Sequence, residues 1–369
     1  MNANNNKSEL VLSTIGMSGE CNFDALDRLL DAKAYLNKII SKLTTSNRLK
    51  KINKDGLVGY RLTTTSKKEL LQQNKNRFEY FLSSTAETNR IKSEIIRRER
   101  LHRAADILVT MLNASVDVHR DVKPEIFMEK LENNTIANIR APCYYNGSEI
   151  KNFGMEKNKI RNGRSHGIML TESNSYIIYN TSDALMKWNK LTEIKHCTII
   201  KNHLSICKLN QYKSPVIGIV YAKNSDIAYE ILKNTITSFI IAEGTFEKFY
   251  FLTLDKFGDF LTRVLSSDAS IERLYKIIKV NLDLKDSNTD MISNIENNAV
   301  DKNGNPVLIN CFFCLPTTKR FNTACSVYNK KGIIVCFKNQ REAMERYCSK
   351  NIEFLTIDEK IFMEKFFDD

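Results

Sequence analysis

Apolar residues recur at helical spacing through the first part of the chain. Val11, Leu12 and Ile15 predict a first amphipathic helix. After a polar break, a short second helix is predicted from Phe23 to Leu30. A third helix is expected to begin after Asp31, whose side chain would cap it. The inward face of this third helix would carry four apolar residues: Leu36, Ile39, Ile40 and Leu43.

The segment after the third helix changes to two short runs on either side of an Asp55-Gly56 dipeptide. Such a dipeptide between short strands is typical of a tight β-hairpin turn. Three helices followed by a hairpin predict a winged helix-turn-helix over residues 8–77, with the hairpin as its wing.

A longer helix is predicted from Thr88 to Asn113, with a basic first half and an apolar second half. Its apolar end would pack on a neighbouring element. Its basic end would either extend a phosphate-binding surface or serve only as a charged connection. We assign residues 78–118 to this basic helical connector and residues 119–369 to a second domain.

The second domain alternates short apolar strands with helices. Gly167 to Leu170 and Tyr176 to Tyr179 predict a β-hairpin. Further strands are predicted at Val216–Ala222, Phe239–Ala242, Tyr250–Leu254, Val307–Leu315, Ile333–Phe337 and Ile352–Ile357. Because helices of about ten to fifteen residues separate these strands, we expect an α/β domain with a mixed or mostly parallel sheet. The fold class is therefore α/β for this domain and α+β for the whole chain.

Basic residues concentrate in the predicted winged helix. The chain carries a net charge of +12, and the stretch from Asp31 to Arg77 holds twelve Lys or Arg against three acids, a net +9. A basic unit of this kind is typical of DNA-binding proteins. The expected contacts with double-stranded DNA are Lys33, Asn37, Lys38, Ser41 and Lys42 of the third helix, Lys50, Lys51, Lys54 and Arg61 of the hairpin, and Arg97 and Arg98 of the connector. A protein-binding winged helix, or a basic face that is only solvated, is the alternative.

Several other classes of protein are disfavoured. The chain has no Gly-rich phosphate loop and no dinucleotide fingerprint, which argues against an ATP-driven motor. No apolar run approaches the length of a membrane span and no secretory signal is apparent, so we expect a cytoplasmic protein that does not bind membranes. Nine scattered cysteines suggest reduced thiols, and Cys311-x-x-Cys314 lies in an apolar run without a second pair of zinc ligands.

The stretch from Ala141 to Leu204 carries a resemblance to a known family. The residues involved are Cys143 to Lys151, Lys159 to Ile168, Ser175 to Thr181, Met186-Lys187-Trp188 and Glu193. Together with the predicted winged helix and with Arg100, His102 and Arg103, they resemble the replication-relaxation family of plasmids and integrative conjugative elements of Gram-positive bacteria. That family is similar to the MOB-C mobilisation relaxases, which join a winged helix to a restriction-endonuclease-like domain. The resemblance implies nicking or relaxation of DNA at a plasmid or conjugative-element origin.

A nuclease of the restriction type needs about two acids that hold a divalent ion and a Lys that stabilises charge. The acids on offer are Glu149, Glu172, Asp183 and Glu193; of these, Glu149 and Glu193 are the candidate metal ligands, with Lys151 and Lys195 as candidate stabilisers. Glu193-x-Lys195 fits the acid-x-Lys triplet of such nucleases, but the sequence places it on or after a helix. Mg²⁺ or Mn²⁺ would be the cofactor of a catalytic protein, and a non-catalytic one would need none. The usual pattern is incomplete, because the strand that begins at Ser175 and the following strand lack the expected acids. The nuclease site is therefore rearranged or lost.

Tyrosines offer another route to nicking, since a phenol oxygen can attack DNA and form a covalent intermediate. The candidates are Tyr144, Tyr145, Tyr176 and Tyr179. The His cluster that usually accompanies such a nucleophile is absent, and tyrosines in strands are more often packing residues.

Three functions remain open at this stage. The first is an enzyme that nicks or relaxes DNA at the origin of a mobile element. The second is a non-catalytic origin-binding protein whose α/β domain docks relaxosome or replication proteins. The third is a transcriptional regulator with a dimerisation or sensor domain, which the size of the α/β region disfavours. The sequence leaves the oligomeric state open and allows an oligomer.

Overall fold

The computed structural model describes residues 3–83, 86–127, 142–151, 163–207, 209, 211–212, 215–234, 246–286 and 295–366. The chain divides into two compact units, unit 1 (Met1–Glu125) and unit 2 (Ile126–Asp369). The division falls several residues after the predicted boundary at residue 118. Within the described residues, no helix has the length and apolar character that crossing a membrane requires.

Unit 1 contains six helices and one two-stranded sheet among its described residues. In chain order they are α1 (Ala3–Ser18), α2 (Phe23–Leu30), α3 (Lys33–Thr45), β1 (Leu49–Lys54), β2 (Leu57–Leu62), α4 (Thr64–Gln73), α5 (Lys75–Leu82) and α6 (Ile95–Asn113). The three predicted helices and the predicted hairpin are present. The helices α4 and α5 were not indicated by the sequence pattern.

The hairpin has the geometry that its sequence predicts. β1 and β2 pair antiparallel in a register that runs from Leu49 opposite Leu62 to Lys54 opposite Leu57. Asp55 and Gly56 between them both have a positive φ, of 53° and 77°. Two successive left-handed residues match the right-handed twist of the flanking strands, which explains the choice of an Asp-Gly turn.

The prediction for Asp31 was wrong. Asp31 ends α2 with a left-handed backbone (φ 53°), and its backbone N–H bonds to Asp27 O. α3 begins one residue later, after Ala32, and has no side-chain cap. Asp31 can adopt the left-handed backbone that ends α2, because its side chain is short and polar. Only Ala32 then separates it from the first residue of α3.

α6 begins at Ile95, seven residues later than predicted. Its buried residues include Leu101, Ala105 and Leu108, and the helix packs against α1 and α2. α6 is therefore a core element of unit 1, whereas the sequence indicated a connector between domains.

Unit 2 contains ten strands and eight helices among its described residues. They are β3 (Cys143–Asn146), α7 (Gly147–Lys151), β4 (Gly167–Leu170), β5 (Ser175–Ser182), α8 (Lys190–Ile206), β6 (Ile217–Ala222), α9 (Asp226–Lys233), β7 (Phe249–Thr253), α10 (Lys256–Leu265), α11 (Asp268–Asn281), β8 (Lys285–Asp286), β9 (Ala299–Val300), β10 (Pro306–Ile309), α12 (Leu315–Val327), β11 (Gly332–Phe337), α13 (Lys338–Tyr347), β12 (Ile352–Ile357) and α14 (Glu359–Phe366). The predicted strand Phe239–Ala242 lies outside the described residues.

The strands of unit 2 form two mixed sheets of five strands each. In the first, with the order β3-β4-β5-β6-β7, the predicted hairpin β4–β5 is antiparallel and β5, β6 and β7 are parallel. The second sheet has the order β12-β11-β10-β9-β8. In it β10, β11 and β12 are parallel, and β9 pairs antiparallel with both β10 and β8. The chain is thus mixed α/β in unit 2 and α+β overall, with two sheets where the strand pattern suggested one.

The apolar run at Val307–Leu315, predicted as one strand, contains a strand followed by a turn. β10 ends at Ile309, and the Asn310 side chain accepts from Cys314 N (2.7 Å) and donates to Thr318 Oγ1 (2.8 Å). An amide side chain that bonds to nearby backbone favours a turn over a strand. The residues after the turn then reach β7, where Phe251 N donates to Phe313 O (3.2 Å).

Candidate nucleic-acid interface

Six lysines of unit 1 form what we call the lysine surface: Lys33, Lys38 and Lys42 of α3, and Lys50, Lys51 and Lys54 of β1. All six are exposed. None of their ammonium groups forms an ion pair with another residue that the structure describes. The surface therefore presents positive charge that the described part of the protein does not neutralise.

The periodicity of α3 explains how it presents part of this surface. Leu36, Ile39, Ile40 and Leu43 are buried, as predicted, so the opposite face of the helix is exposed. On that face, Asn37 and Ser41 are neighbours one helical turn apart, and so are Lys38 and Lys42. All four side chains are exposed, which leaves amide, hydroxyl and ammonium groups available to a ligand.

Two of the predicted DNA contacts have a different environment. Arg61 is largely buried and Arg98 is 1% exposed at its side chain, and both pair with Glu20, which is 0% exposed. Arg61 Nε donates to Glu20 Oε2 (2.6 Å), and Arg98 donates from Nε (3.0 Å) and Nη2 (2.7 Å) to Glu20 Oε1. His102 Nε2 lies 2.8 Å from the same oxygen. We call Glu20, Arg61, Arg98 and His102 the Glu20 cluster.

Arg98 does not present a free charge to DNA in this structure, because its guanidinium is buried and bound to a carboxylate. The charge of Arg61 is shared with the same carboxylate, although part of its side chain reaches the surface. Glu20 lies just beyond the C-terminal end of α1 and carries no pattern that separates it from a surface acid. Sequence reasoning therefore missed it.

The cluster changes the acidity of Glu20. Burial by itself would raise the pKa of the Glu20 carboxyl group, but hydrogen bonds from His102, Arg98 and Arg61 outweigh it. Together they lower the pKa from 4.5 to about 2. The carboxyl group is therefore ionised at neutral pH and balances the buried guanidinium.

The basic first half of α6 is also less available than its sequence suggests. Arg97 is exposed, but its Nε lies 2.6 Å from Glu94 Oε2. Arg100 pairs with Glu87. Local acids thus neutralise much of the charge that was expected to extend the DNA-binding surface, and Arg97 is the remaining exposed candidate there.

The two candidate metal ligands of unit 2 are both buried. Glu149 lies on α7, and its Oε2 accepts a hydrogen bond from Asn146 N (2.9 Å) at the end of β3. Glu193 lies in the first turn of α8, and its Oε2 accepts from the hydroxyl of Tyr179 on β5 (2.5 Å). The first carboxylate stabilises a turn, and the second binds a buried phenol.

The two candidate lysines do not complete a nuclease site. Lys151 Nζ donates to Ser165 O (3.3 Å). Lys195 is exposed, while Glu193, two positions earlier on α8, is buried. Residues two apart on a helix point in different directions, so the triplet Glu193-x-Lys195 does not bring the acid and the amine together.

A divalent-ion site would need several such ligands at one place. In the parts of the chain that the structure describes, no three His, Cys, Asp or Glu side chains lie together as potential ligands. The predicted donors Glu149 and Glu193 are instead bound to other groups of the protein. Among the described residues, the predicted donors therefore do not fit the Mg²⁺ or Mn²⁺ site that the resemblance implies.

The four tyrosines considered as nucleophiles are no more than 2% exposed: Tyr144, Tyr145, Tyr176 and Tyr179. Burial raises the pKa of each of their phenol groups. A buried phenol that resists ionisation cannot reach a phosphodiester, so the structure supports the interpretation of these side chains as packing residues.

Further polar groups are buried near Glu193. His196, on the same side of α8, is 0% exposed, and its Nδ1 lies 3.9 Å from Glu193 Oε2. Within the described residues, neither nitrogen of His196 nor Glu193 Oε1 has a hydrogen-bond partner. His203, seven positions further on, bonds instead to Ile126 O through Nε2 (2.9 Å). The two histidines thus lie on the same helix but have different environments.

All nine cysteines have free thiols. Cys311 and Cys314 are buried, and burial raises the pKa of both thiol groups. Both therefore have the character of core residues.

Comparison with known proteins adds no relative. No protein-family model, no curated protein and no solved structure matches the chain. Function must therefore be inferred from the chemistry of the two units.

Proposed function

We propose that the protein binds double-stranded DNA in a sequence-specific manner through unit 1, which we assign as a winged helix with α3 as the recognition helix and β1–β2 as the wing. The observation that carries the proposal is the lysine surface, six exposed ammonium groups without acidic partners in the described residues. These lysines differ from Arg61 and Arg98 of the same unit, whose charges are balanced by a buried carboxylate.

The composition of the exposed face of α3 fits DNA better than an acidic protein. Asn37 and Ser41 can hydrogen-bond to base edges in a major groove, while Lys38 and Lys42 can bind the flanking phosphates. Lys50, Lys51 and Lys54 would add phosphate contacts from the wing. A surface of this kind supplies both positioning and sequence readout.

We further propose that the site of action is the origin of a plasmid or conjugative element, as the resemblance to the replication-relaxation family implies. Of the roles considered for unit 2, the arrangement of Glu149 and Glu193 supports a non-catalytic one best, because their carboxylates are buried and bound within the protein. In this proposal unit 1 binds the origin and unit 2 docks relaxosome or replication proteins.

Replacing Lys38 and Lys42 together by alanine is expected to weaken DNA binding by about 10- to 100-fold near physiological salt, since each neutralised phosphate releases counterions. The slope of log K against log salt should become shallower by about 2. The measurement is fluorescence anisotropy on duplexes from the DNA that flanks the gene, with a scrambled duplex as competitor.

The matched control for this pair is Lys330→Ala with Lys350→Ala, which removes two exposed lysines of unit 2. The control should change neither affinity nor slope. Unchanged binding by the Lys38 and Lys42 variant at moderate salt would exclude α3 as the recognition helix.

The nicking alternative is tested on supercoiled plasmid that carries the same flanking DNA. We expect the plasmid to stay supercoiled with Mg²⁺ or Mn²⁺, because the predicted donors do not form a metal site. Formation of open circles that is lost in chelator and in the Glu149→Gln, Glu193→Gln variant would establish nicking instead. That variant keeps the side-chain volumes and should bind DNA like the unchanged protein, which separates loss of chemistry from loss of binding.

A further inference from the structure

Arg98 contacts the hairpin at its turn. Its Nη2 donates to Ile52 O (3.2 Å) and Leu57 O (2.9 Å), and its Nη1 donates to Lys54 O (3.2 Å). Lys54 and Leu57 are the paired residues on either side of the Asp-Gly turn. One guanidinium thus joins both strands of the hairpin to α6.

Glu20 holds this guanidinium from the other side. It binds Arg98 through Nε and Nη2, and it also binds Arg61, which lies on β2. Gly59 of β2 lies against the carboxylate so closely that a Cβ there would come within 2.1 Å of Glu20 Oε1. The hairpin is therefore packed onto the buried acid at Gly59 and tied to it through two arginines.

The geometry requires arginine at this position. A guanidinium offers five N–H donors in one plane, and Arg98 uses them on Glu20 and on three hairpin carbonyls. A lysine ammonium has three donors around one atom and could keep the charge balance with Glu20, but it could not reach all of these acceptors. Arg98 therefore both neutralises Glu20 and holds the hairpin β1–β2 in place.

We propose that Arg98 is a positioning residue for DNA binding: without contacting DNA, it holds hairpin β1–β2 so that Lys51 and Lys54 meet the phosphate backbone. This inference rests on the proposed function. It predicts that replacing Arg98 weakens DNA binding because the hairpin lysines lose their contacts with phosphate. The contacts of the α3 lysines should stay unchanged.

The first test needs no DNA. Arg98→Lys is compared with its neighbour Arg97→Lys, an exposed arginine that makes no contact with the hairpin in the described structure. Hydrogen exchange in the free full-length protein should be faster by about tenfold or more for backbone amides of residues 49–62 in Arg98→Lys. It should be unchanged in Arg97→Lys. Unchanged exchange of the hairpin in Arg98→Lys would overturn the proposal.

The second test is a double-mutant cycle on DNA affinity. Alone, Arg98→Lys and Lys54→Ala should each weaken binding by about tenfold. Together they should weaken it little further, whereas Lys38→Ala should keep its full effect in the Arg98→Lys background. If the fold-losses of affinity from Arg98→Lys and Lys54→Ala multiply in the double variant, the proposal is overturned. A residue that only stabilises the fold would leave Lys54→Ala and Lys38→Ala with the same effect in the Arg98→Lys background.

If Arg98→Lys does not fold, Arg98→Met combined with Glu20→Met replaces it, since removing both charges leaves no fully buried ion unpaired. Arg61 also loses Glu20 in this variant, but part of its side chain reaches the surface. The same two measurements and the same outcomes apply to that variant. If the unchanged protein binds no DNA, the proposed function fails together with the role of Arg98 in it. The exchange data still show in that case whether Arg98 holds the hairpin, so the two failures are distinguishable.

Discussion

Replacing Glu20 by alanine is expected to lower the unfolding free energy of unit 1 by about 3–5 kcal/mol. The reason is that Arg98 stays buried after the change, while its Nε and Nη2 groups lose the carboxylate that they bind at present. Breaking a buried ion pair from one side leaves an uncompensated charge in a medium that solvates it poorly. Arg61 and His102 lose the same partner, which adds to the effect.

The measurement is urea unfolding of the full chain followed by hydrogen-exchange mass spectrometry, with peptides from α1 and α6 as reporters. Peptides from β5 and β6 in unit 2 serve as an internal reference. Glu79→Ala is the control, because Glu79 forms an exposed pair with Lys75 (3.5 Å) and should contribute no more than about 1 kcal/mol. A Glu20→Ala protein whose unit 1 unfolds at the same urea concentration as the control would contradict the importance of the cluster.

Unit 1 is also expected to lose stability as the pH falls from about 4.5 towards about 2, the interval over which the folded protein holds Glu20 ionised and the unfolded chain does not. The sign follows from the lowered pKa. Because the folded state binds the proton less readily than the unfolded chain, protonation of Glu20 favours unfolding. The stabilisation of unit 1 by ionised Glu20 is fully present only above the pKa of Glu20 in the unfolded chain. Its size is about 3 kcal/mol.

The corresponding experiment compares the pH dependence of unfolding of unit 1 in the unchanged protein and in Glu20→Gln. The variant should be less stable at neutral pH and should show a flatter dependence below pH 4.5. Asp121, whose pKa is lowered by a hydrogen bond from Arg77, is present in both proteins, so the difference between the two curves reports Glu20. Parallel curves would show that Glu20 is not the group that titrates.

The basic residues of unit 1 illustrate how far sequence reasoning reaches. Periodicity identified which side of α3 is buried, and the exposure of Lys38 and Lys42 follows from the burial of the four apolar residues on the opposite side. Nothing in the local sequence separates Arg98 from Arg97, although the first is 0% exposed and the second is exposed. That difference depends on Glu20, which lies 78 positions away in the chain.

Unit 2 gives a similar contrast. The hairpin β4–β5 and the strands β6, β11 and β12 were predicted from short apolar runs, and each is present at nearly the predicted bounds. The division into two sheets was not predicted. The turn within the apolar run Val307–Leu315 was not predicted either, because it depends on hydrogen bonds of the Asn310 side chain. Glu193 and Lys195 lie on a helix, as the sequence indicated, and residues two apart on a helix point in different directions.

The sequence by itself determined the first three helices and the hairpin β1–β2, the charge of the N-terminal part and the residues that α3 exposes, because these depend on composition and on spacing within one element. Tertiary structure alone decided which basic residues are neutralised, which carboxylates are bound and how the strands are divided between sheets. The decisive contacts of unit 1 join residues far apart in the chain, as Arg98 and Glu20 do. A buried charge such as Arg98 is stable only where folding brings a distant acid to it.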